Sequence, residues 1–362
     1  MQFGYFSHVW NKPGLTPAQR YQLMWRELGL ADQVGFDYGF TVEHHFSPTE
    51  SLMPAPSVFC TAAALHTKRM KIGPMGYIVP LQDPLRIVEE AAVLDQVSEG
   101  RFQLGLVSGI LPHYFGPYKA DFPNRRGRAL EAISVIKAAY AAGDGFSFSG
   151  KYYQYDKVRL SVKPVQQPHP PIWLQSRDPE TLEVLACEGV NTGYLLFVSR
   201  ETAAPRYREY LRRWRSAGHA ADPRIAFWTL VYVDETDEKA RAQAEGHIFH
   251  TWNDIGGFGD TGGVTPDLLA DIFRKRGEPE SAEIALHLAD MSYLLERNLV
   301  FVGSPDTVAR KIREAAQAGM FNTLLGEFNF GFLEEADVMR SVRLFGEQVI
   351  PNLRDLQTLP RA

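Results

Sequence analysis

Strand-like apolar runs and amphipathic helical runs alternate along this chain from its first residues, and this restricts the fold more than any other feature. Eight strand candidates follow one another: Gln2–Ser7, Tyr38–Val42, Met70–Val79, Phe102–Val107, Pro171–Gln175, Val190–Val198, Arg224–Val233 and Asn322–Gly326. Helical patterns separate them, several with a clear start signal. Thr16-Pro17-Ala18-Gln19 reads as a capping box with proline at the first helical position. Asp83-Pro84, Asp178-Pro179 and Ser304-Pro305 repeat the cap-then-proline device. Strands joined through helices lie parallel, and eight such units imply closure into an α/β (β/α)8 TIM barrel. An open doubly wound sheet would carry a glycine-rich phosphate turn after its first strand. Here that turn is His8-Val9-Trp10-Asn11-Lys12-Pro13.

The chain has 362 residues, more than the ~250 of a plain barrel, and the excess falls in two places. Phe146–Val162, with Gly150 as its turn, reads as an added β-hairpin over about 145–162. The second insertion, 254–297, opens with Gly256-Gly257, Gly259 and Gly262-Gly263 and reads as a long mobile lid. The expectation is therefore one domain, 1–362, carrying two insertions.

Charge narrows the function classes. The net charge is −5 with no Lys/Arg-rich run, which argues against nucleic acid. Cys60 and Cys187 form no Cys-x-x-Cys spacing, as expected in a reducing compartment. The first residues open directly into a strand, and no apolar run approaches ~18 residues, so neither a signal peptide nor a membrane span is expected. The expected location is cytoplasmic.

Three places carry candidate chemistry. The second strand delivers Glu43-His44-His45-Phe46 to a loop at its C-terminal end, where α/β barrels place their active sites. On a regular strand Glu43 and His45 share one face and His44 takes the other. The adjacent histidines are thus badly placed to chelate one ion, no second ligand pair follows, and no metal site is expected. The junction Gln175-Ser176-Arg177-Asp178-Pro179-Glu180-Thr181 offers a helix N-terminus with a hydroxyl and a guanidinium beside it, suited to phosphate. Asp178 and Glu180 compete for the same helix end, so a plain helix start stays open. Arg125, Arg126 and Arg128 begin the fourth helix, and Arg128, which leads into its apolar run, is the best oriented. Tyr5, Phe6, Trp10, Tyr77, Tyr114, Phe115, Trp173 and Trp228 lie near strand ends and serve either as core or as the walls of a flat-ligand pocket.

Several strings resemble the bacterial luciferase-like flavin monooxygenases almost end to end. They are Val42-Glu43-His44-His45-Phe46, then Ile78-Val79-Pro80, Asp83-Pro84, Glu89-Glu90-Ala91 and Leu94 through Phe102. Pro170-Pro171-Ile172-Trp173 and the closing helix Ser341 to Pro351 match as well. The resemblance implies a barrel that binds reduced FMN (FMNH2) at the strand C-termini. There O2 forms a flavin C4a-hydroperoxide that oxygenates a small, largely apolar organic substrate. The flavin would come from a separate NAD(P)H:flavin reductase. His44 falls on the catalytic histidine of the family, in an acid/base role, with Glu43 and His45 as supports. The non-proline cis peptide of the family's third strand falls on Met75-Gly76, beside the flavin ring. Arg128 matches a phosphate ligand, and Ser176, Arg177 and Thr181 complete the phosphate cup.

One departure concerns the residues after the fourth strand. Many relatives carry an arginine there, whereas this chain has Ser108 within Gly105-Leu106-Val107-Ser108-Gly109. Arg177 is expected to replace the missing charge. Two alternatives share the barrel: an F420-dependent oxidoreductase, or a flavin-binding protein without catalysis. The family also implies a homodimer through the helices after the second and third strands, whose small residues Ala62, Ala63, Ala91 and Ala92 permit such a contact.

Overall fold

The computed structural model describes residues 1–252 and 266–360. The first half runs β1 (Gln2–Ser7), α1 (Pro17–Gln33), β2 (Tyr38–Thr41), α2 (Pro56–His66), β3 (Lys71–Pro74), β4 (Tyr77–Ile78), α3 (Pro84–Val97), β5 (Leu104–Val107) and α4 (Arg125–Ala141). It continues with β6 (Phe146–Ser149), β7 (Gln154–Val158), β8 (Ile172–Leu174), α5 (Pro179–Cys187), β9 (Thr192–Leu195), α6 (Arg200–Ser216) and β10 (Ile225–Val233). The last part holds α7 (Asp237–His250), α8 (Pro266–Lys275), α9 (Pro279–Leu286), α10 (Met291–Glu296), β11 (Phe301–Gly303), α11 (Pro305–Gly319), β12 (Thr323–Glu327) and α12 (Glu335–Leu344). Among the described residues no helix is long and apolar enough to cross a membrane.

Helix starts follow the local chemistry. Thr16 and Gln19 form the reciprocal capping box at α1, while Asp83, Asp178 and Ser304 accept backbone N–H groups at α3, α5 and α11. The strands between helices pair in parallel. One sheet runs β11-β10-β12-β1-β2-β3, with β9 also on β10, and a second runs β4-β5-β8. Single parallel bridges, Ile72 to Phe102 and Trp173 to Asn191, link the two groups. Among the described strands only β6 and β7 pair antiparallel, beside a single antiparallel bridge between Trp10 and Ser51.

Alternation along β1 sorts its side chains to two sides. Tyr5 points to α1, where its hydroxyl donates to Glu27 at 2.7 Å. Phe6 turns the other way, edge-on to Trp228 of β10 at 5.5 Å between ring centroids. The third strand candidate is split into β3 and β4 at a cis Met75–Gly76 bond. There β5 comes so close that a Cβ on Gly105 would lie 1.9 Å from the Pro74 carbonyl oxygen, so only glycine fits.

Three expectations need correction. Most of the described part of the expected 254–297 loop is helical. In α8 and α9, Ala270, Phe273, Ala282 and Ala285 sit one helical turn apart in pairs and bury against each other. The glycine-rich opening of that insertion, 254–265, lies outside the described residues. Second, β11 is a short strand added to the upper half of β10, pairing Val231 to Val233 with Phe301 to Gly303. Third, Ala63, Ala91 and Ala92 are fully buried within the chain's own core. The apolar side chains that α2 and α3 turn outward are Val58 and Leu65, 70% and 69% exposed, with Val93 and Val97.

Candidate active site

The loop after β2 is held at both ends. Thr41 donates its hydroxyl to the Ser7 carbonyl at 3.0 Å, and His44 donates its backbone N–H to Met53 at 2.9 Å. Between these anchors Glu43 is buried and both of its oxygens are taken. Oε2 accepts the Ile78 amide at 2.7 Å and Oε1 lies 2.9 Å from His45 Nε2. One carboxylate thus ties the histidine loop to the strand that follows the Met75–Gly76 bond.

The two imidazoles are used unequally. His45 is 4% exposed, with Nε2 on Glu43 and Nδ1 3.3 Å from the Tyr118 hydroxyl. Both of its ring nitrogens are occupied. His44 faces a different set of groups. Its Nδ1 lies 3.0 Å from Glu50 Oε1, but off hydrogen-bond alignment. Among the described residues its Nε2 has no hydrogen-bond partner. Burial pushes the Glu50 carboxyl up, but the His44 imidazole, with help from His8 and Ser47, outweighs it and leaves the group below its usual range. His113, 3.4 Å from Ser47 Oγ, is lowered by burial, with Glu50 opposing and His44 adding to the effect.

A third imidazole completes the cluster. His8 follows β1, and its ring lies edge-on to His44 at 5.3 Å. Its Nδ1 is 2.6 Å from Oε2 of Glu327, the last residue of β12, and its backbone N–H donates to Oε1 at 2.9 Å. Trp10 stacks on the same ring at 4.1 Å.

The arginine-rich end lies at the tops of β5 and β8. Arg128 has its guanidinium 5.4 Å and 5.8 Å from the rings of Tyr152 and Tyr153, which come from the hairpin turn. Its Nε, 3.7 Å from Asp121 Oδ2, has no hydrogen-bond partner, and neither has the buried Tyr153 hydroxyl. Arg126 reaches Asp178 at 3.3 Å. Arg125 donates to the Gly109 carbonyl at 3.1 Å, one residue beyond Ser108.

The cup residues are less open than their spacing implies. Ser176 Oγ accepts the Asp178 N–H at 3.1 Å. Thr181 gives both its amide and its hydroxyl to the Asp178 carboxylate, at 2.9 and 2.7 Å. Arg177 turns to the inserted helices: its Nε is 3.2 Å from Glu278 Oε2, unaligned, and its guanidinium lies 4.4 Å from the Phe273 ring. Burial, only partly offset by Glu278, pushes Arg177 down to about 10.

Residues 1–321 match the luciferase-like monooxygenase family. The chain belongs to that family. Flavin-dependent monooxygenase is the enzyme class this membership carries. An uncharacterized Sinorhizobium fredii protein is 33% identical over 58% of this chain and 62% of its own length. The oxygenase component of a flavin-dependent trigonelline monooxygenase from Acinetobacter baylyi is 27% identical over 70% of this chain and 71% of its own. Among solved structures, the Streptomyces bottropensis monooxygenase RslO1 superposes with a TM-score of 0.81 at 23% identity, covering 97% of this chain and 99% of that one. The oxygenating constituent of 3,6-diketocamphane monooxygenase from Pseudomonas putida, a type II Baeyer–Villiger enzyme in complex with FMN, gives 0.78 at 24% identity, covering 99% of both chains. An F420-dependent secondary alcohol dehydrogenase gives 0.70 at 19%, covering 98% and 99%.

Within this luciferase-like site, reasoning from the sequence missed His8, Glu50, Glu327 and Glu278. The available signal for His8 was its place two residues beyond Phe6, on the inward side of the first strand's end. Glu327 occupies the last position of β12 in the same way.

Proposed function

We propose that this chain is the oxygenase component of a two-component FMN-dependent monooxygenase built on a closed (β/α)8 barrel. Closure is supported by the strand pairings together with the two single bridges, which run from β1 through β2, β3, β5, β8, β9, β10 and β12 back to β1. The carrying observation is the Glu43 bridge. A buried carboxylate, bonded to His45 and to the Ile78 amide, joins the His44–His45 loop to the segment beginning at Met75–Gly76, and so links the stretches matched to the family's catalytic and flavin-facing positions.

The residues at the arginine-rich end fit a flavin phosphate. Arg128 Nε and the Tyr153 hydroxyl are buried polar atoms without partners, and Arg126 stands beside the same helix end. Arg128, Arg126 and Ser176 would hold the phosphate, with Ser108, Arg177 and Thr181 behind them. Reduced FMN would supply the electrons with which O2 is cleaved, one oxygen atom passing to a small, largely apolar organic substrate and the other leaving as water. A separate NAD(P)H:flavin reductase would supply the reduced flavin.

The chain's own groups do the rest. His44 keeps its Nδ1 toward Glu50 and exchanges a proton at Nε2, the acid/base role. His45 and Glu43 fix the loop. Trp10, Tyr114 and Trp228, each 2% exposed, keep water out. Val58, Leu65, Val93 and Val97 give α2 and α3 an apolar outer face suited to a second copy of the chain.

The test is His44→Ala. It should bind FMN within about threefold of wild type and lose product formation by on the order of a hundredfold or more. Retained turnover, or lost FMN binding, would place the acid/base work elsewhere. Tight binding of F420 without FMN would favour hydride transfer on the same fold.

A further inference from the structure

We propose that His8 and Glu327 form a second acid/base pair, and that with the indole N–H groups of Trp10 and Trp228 they recognise a substrate carrying an ionisable hydroxyl, a phenol or an enol. The pair goes beyond the flavin reading and does not depend on it, because every group in it belongs to β1, β10 or β12, or to the turn after β1.

The geometry fixes the tautomer. Glu327 is fully buried and, as a carboxylate, only accepts. It takes the His8 backbone N–H at 2.9 Å and lies 2.6 Å from His8 Nδ1, so Nδ1 carries the proton and Nε2 keeps its lone pair. A carboxylate behind an imidazole also stabilises the imidazolium that forms when Nε2 takes up a proton. The ring is immobilised on every side. Trp10 stacks on it at 4.1 Å, while Trp228 and Phe6 meet it edge-on at 5.2 and 5.3 Å. Ser51 donates to the His8 carbonyl at 2.5 Å, and the next titratable groups are His44, then Glu50 and His113 behind it. Among the described residues His8 Nε2 has no hydrogen-bond partner, and the side chain is 11% exposed.

A second, independent observation comes from the indoles. Trp10 Nε1 and Trp228 Nε1 are buried donors without any partner, on the two rings that touch His8. Natural structures seldom leave buried donors unpaired. With Nε2 as the acceptor, His8 and the two indole donors on the rings that touch it complement an O–H group that is losing its proton. The step balances simply. The substrate O–H proton bonds to the His8 Nε2 lone pair, the O–H electron pair stays on oxygen, and the indole N–H groups donate to that oxyanion. The aromatic walls favour a flat, electron-rich carbon skeleton, which becomes a better acceptor of an electrophilic oxygen atom once ionised.

The experiment uses the full chain and 4-nitrophenol, whose anion absorbs in the visible. Titrated one pH unit below the phenol's own pKa, wild type should bind it and raise its anion-to-neutral ratio by about tenfold or more. His8→Gln should abolish that rise, Glu327→Gln should reduce it, and 4-nitroanisole, which lacks the hydroxyl, should bind at least tenfold more weakly than 4-nitrophenol. Trp10→Phe, which leaves the His8–Glu327 pair in place, should lower the anion fraction by several-fold and serves if the His8 variant does not fold. Binding of the neutral phenol only, no binding by wild type, or an unchanged anion fraction in both folded variants would overturn the proposal. Because no flavin is present, failure here and failure of the FMN reading are separate outcomes.

Discussion

Replacing Glu43 tests whether its carboxylate is the clamp that holds the histidine loop against the Met75–Gly76 segment. In Glu43→Ala both the Ile78 amide and His45 Nε2 lose their partner in a buried setting. Each orphaned group costs about 1–3 kcal/mol, so the variant should lose roughly 2–6 kcal/mol of stability. Glu43→Gln behaves differently. Its amide oxygen still accepts the Ile78 N–H, and its NH2 faces His45 Nε2, which accepts once the ring proton moves to Nδ1. The Tyr118 hydroxyl oxygen, 3.3 Å away, accepts a hydrogen bond from that Nδ1–H. Only the charge assistance is lost, about 1–2 kcal/mol. Urea denaturation of the three proteins at one pH measures the differences, and FMN titration of the same samples tests whether the loop still faces the flavin site. A loss below about 1 kcal/mol in the alanine variant, or equal losses in both, would refute the clamp.

Lys12 carries a pH signature. Its ammonium donates to the Leu333 carbonyl, and burial, reinforced by Arg20 and opposed by Glu27 and Glu334, pushes it down to about 8. Between about 8 and the ordinary 10.5 the unfolded chain binds a proton that the folded one lacks, so this group makes stability rise with pH across that window. Lys12→Met should be more stable than wild type at pH 7 by roughly 1–2 kcal/mol, a burial cost of about 3 less one lost hydrogen bond, and the gap should close by pH 10. A gap that is constant or widens with pH contradicts this. For the phosphate, Arg128→Ala should weaken FMN binding by roughly 10–100-fold and Arg177→Ala by under about threefold, because Arg177 is held by Glu278 and Phe273; the reverse order would put Arg177 on the phosphate. Val58→Asp with Leu65→Asp should shift a dimer to monomer in analytical ultracentrifugation, and an unchanged mass would exclude that helix face as the interface.

The parallel strands and most helix starts were legible because they rest on local rules: period, caps and proline placement. That His44 and His45 face different ways was legible from alternation, whereas the catalytic role for His44 came only from the family resemblance. Alternation extrapolated past the strand end put Glu43 on the side of His45, and the loop after β2 keeps that pairing at 2.9 Å. Long-range partners were hidden. His8 and Glu327 stand 319 residues apart in sequence, and no spacing rule joins them. Arg177 looked like a free cation because its partner, Glu278, belongs to the insertion read as a loop. There, Gly277 and Pro279 break the helical pattern into pieces too short for periodicity to register, although α8 and α9 together build a small core. The alanines of α2 and α3 misled for another reason. Alanine fits a tight core as well as an interface, and only packing showed that Ala63, Ala91 and Ala92 face inward.

The central claim is that this luciferase-like chain handles oxygen through reduced FMN. Photoreduced FMN mixed with the purified chain and then with oxygenated buffer in a stopped-flow instrument tests it directly. The account predicts stable binding of reduced FMN and a transient absorbance distinct from both reduced and oxidised flavin. Its decay should be much slower than flavin reoxidation without the protein. Failure to bind reduced FMN, or reoxidation at the free-flavin rate with no transient, would contradict it.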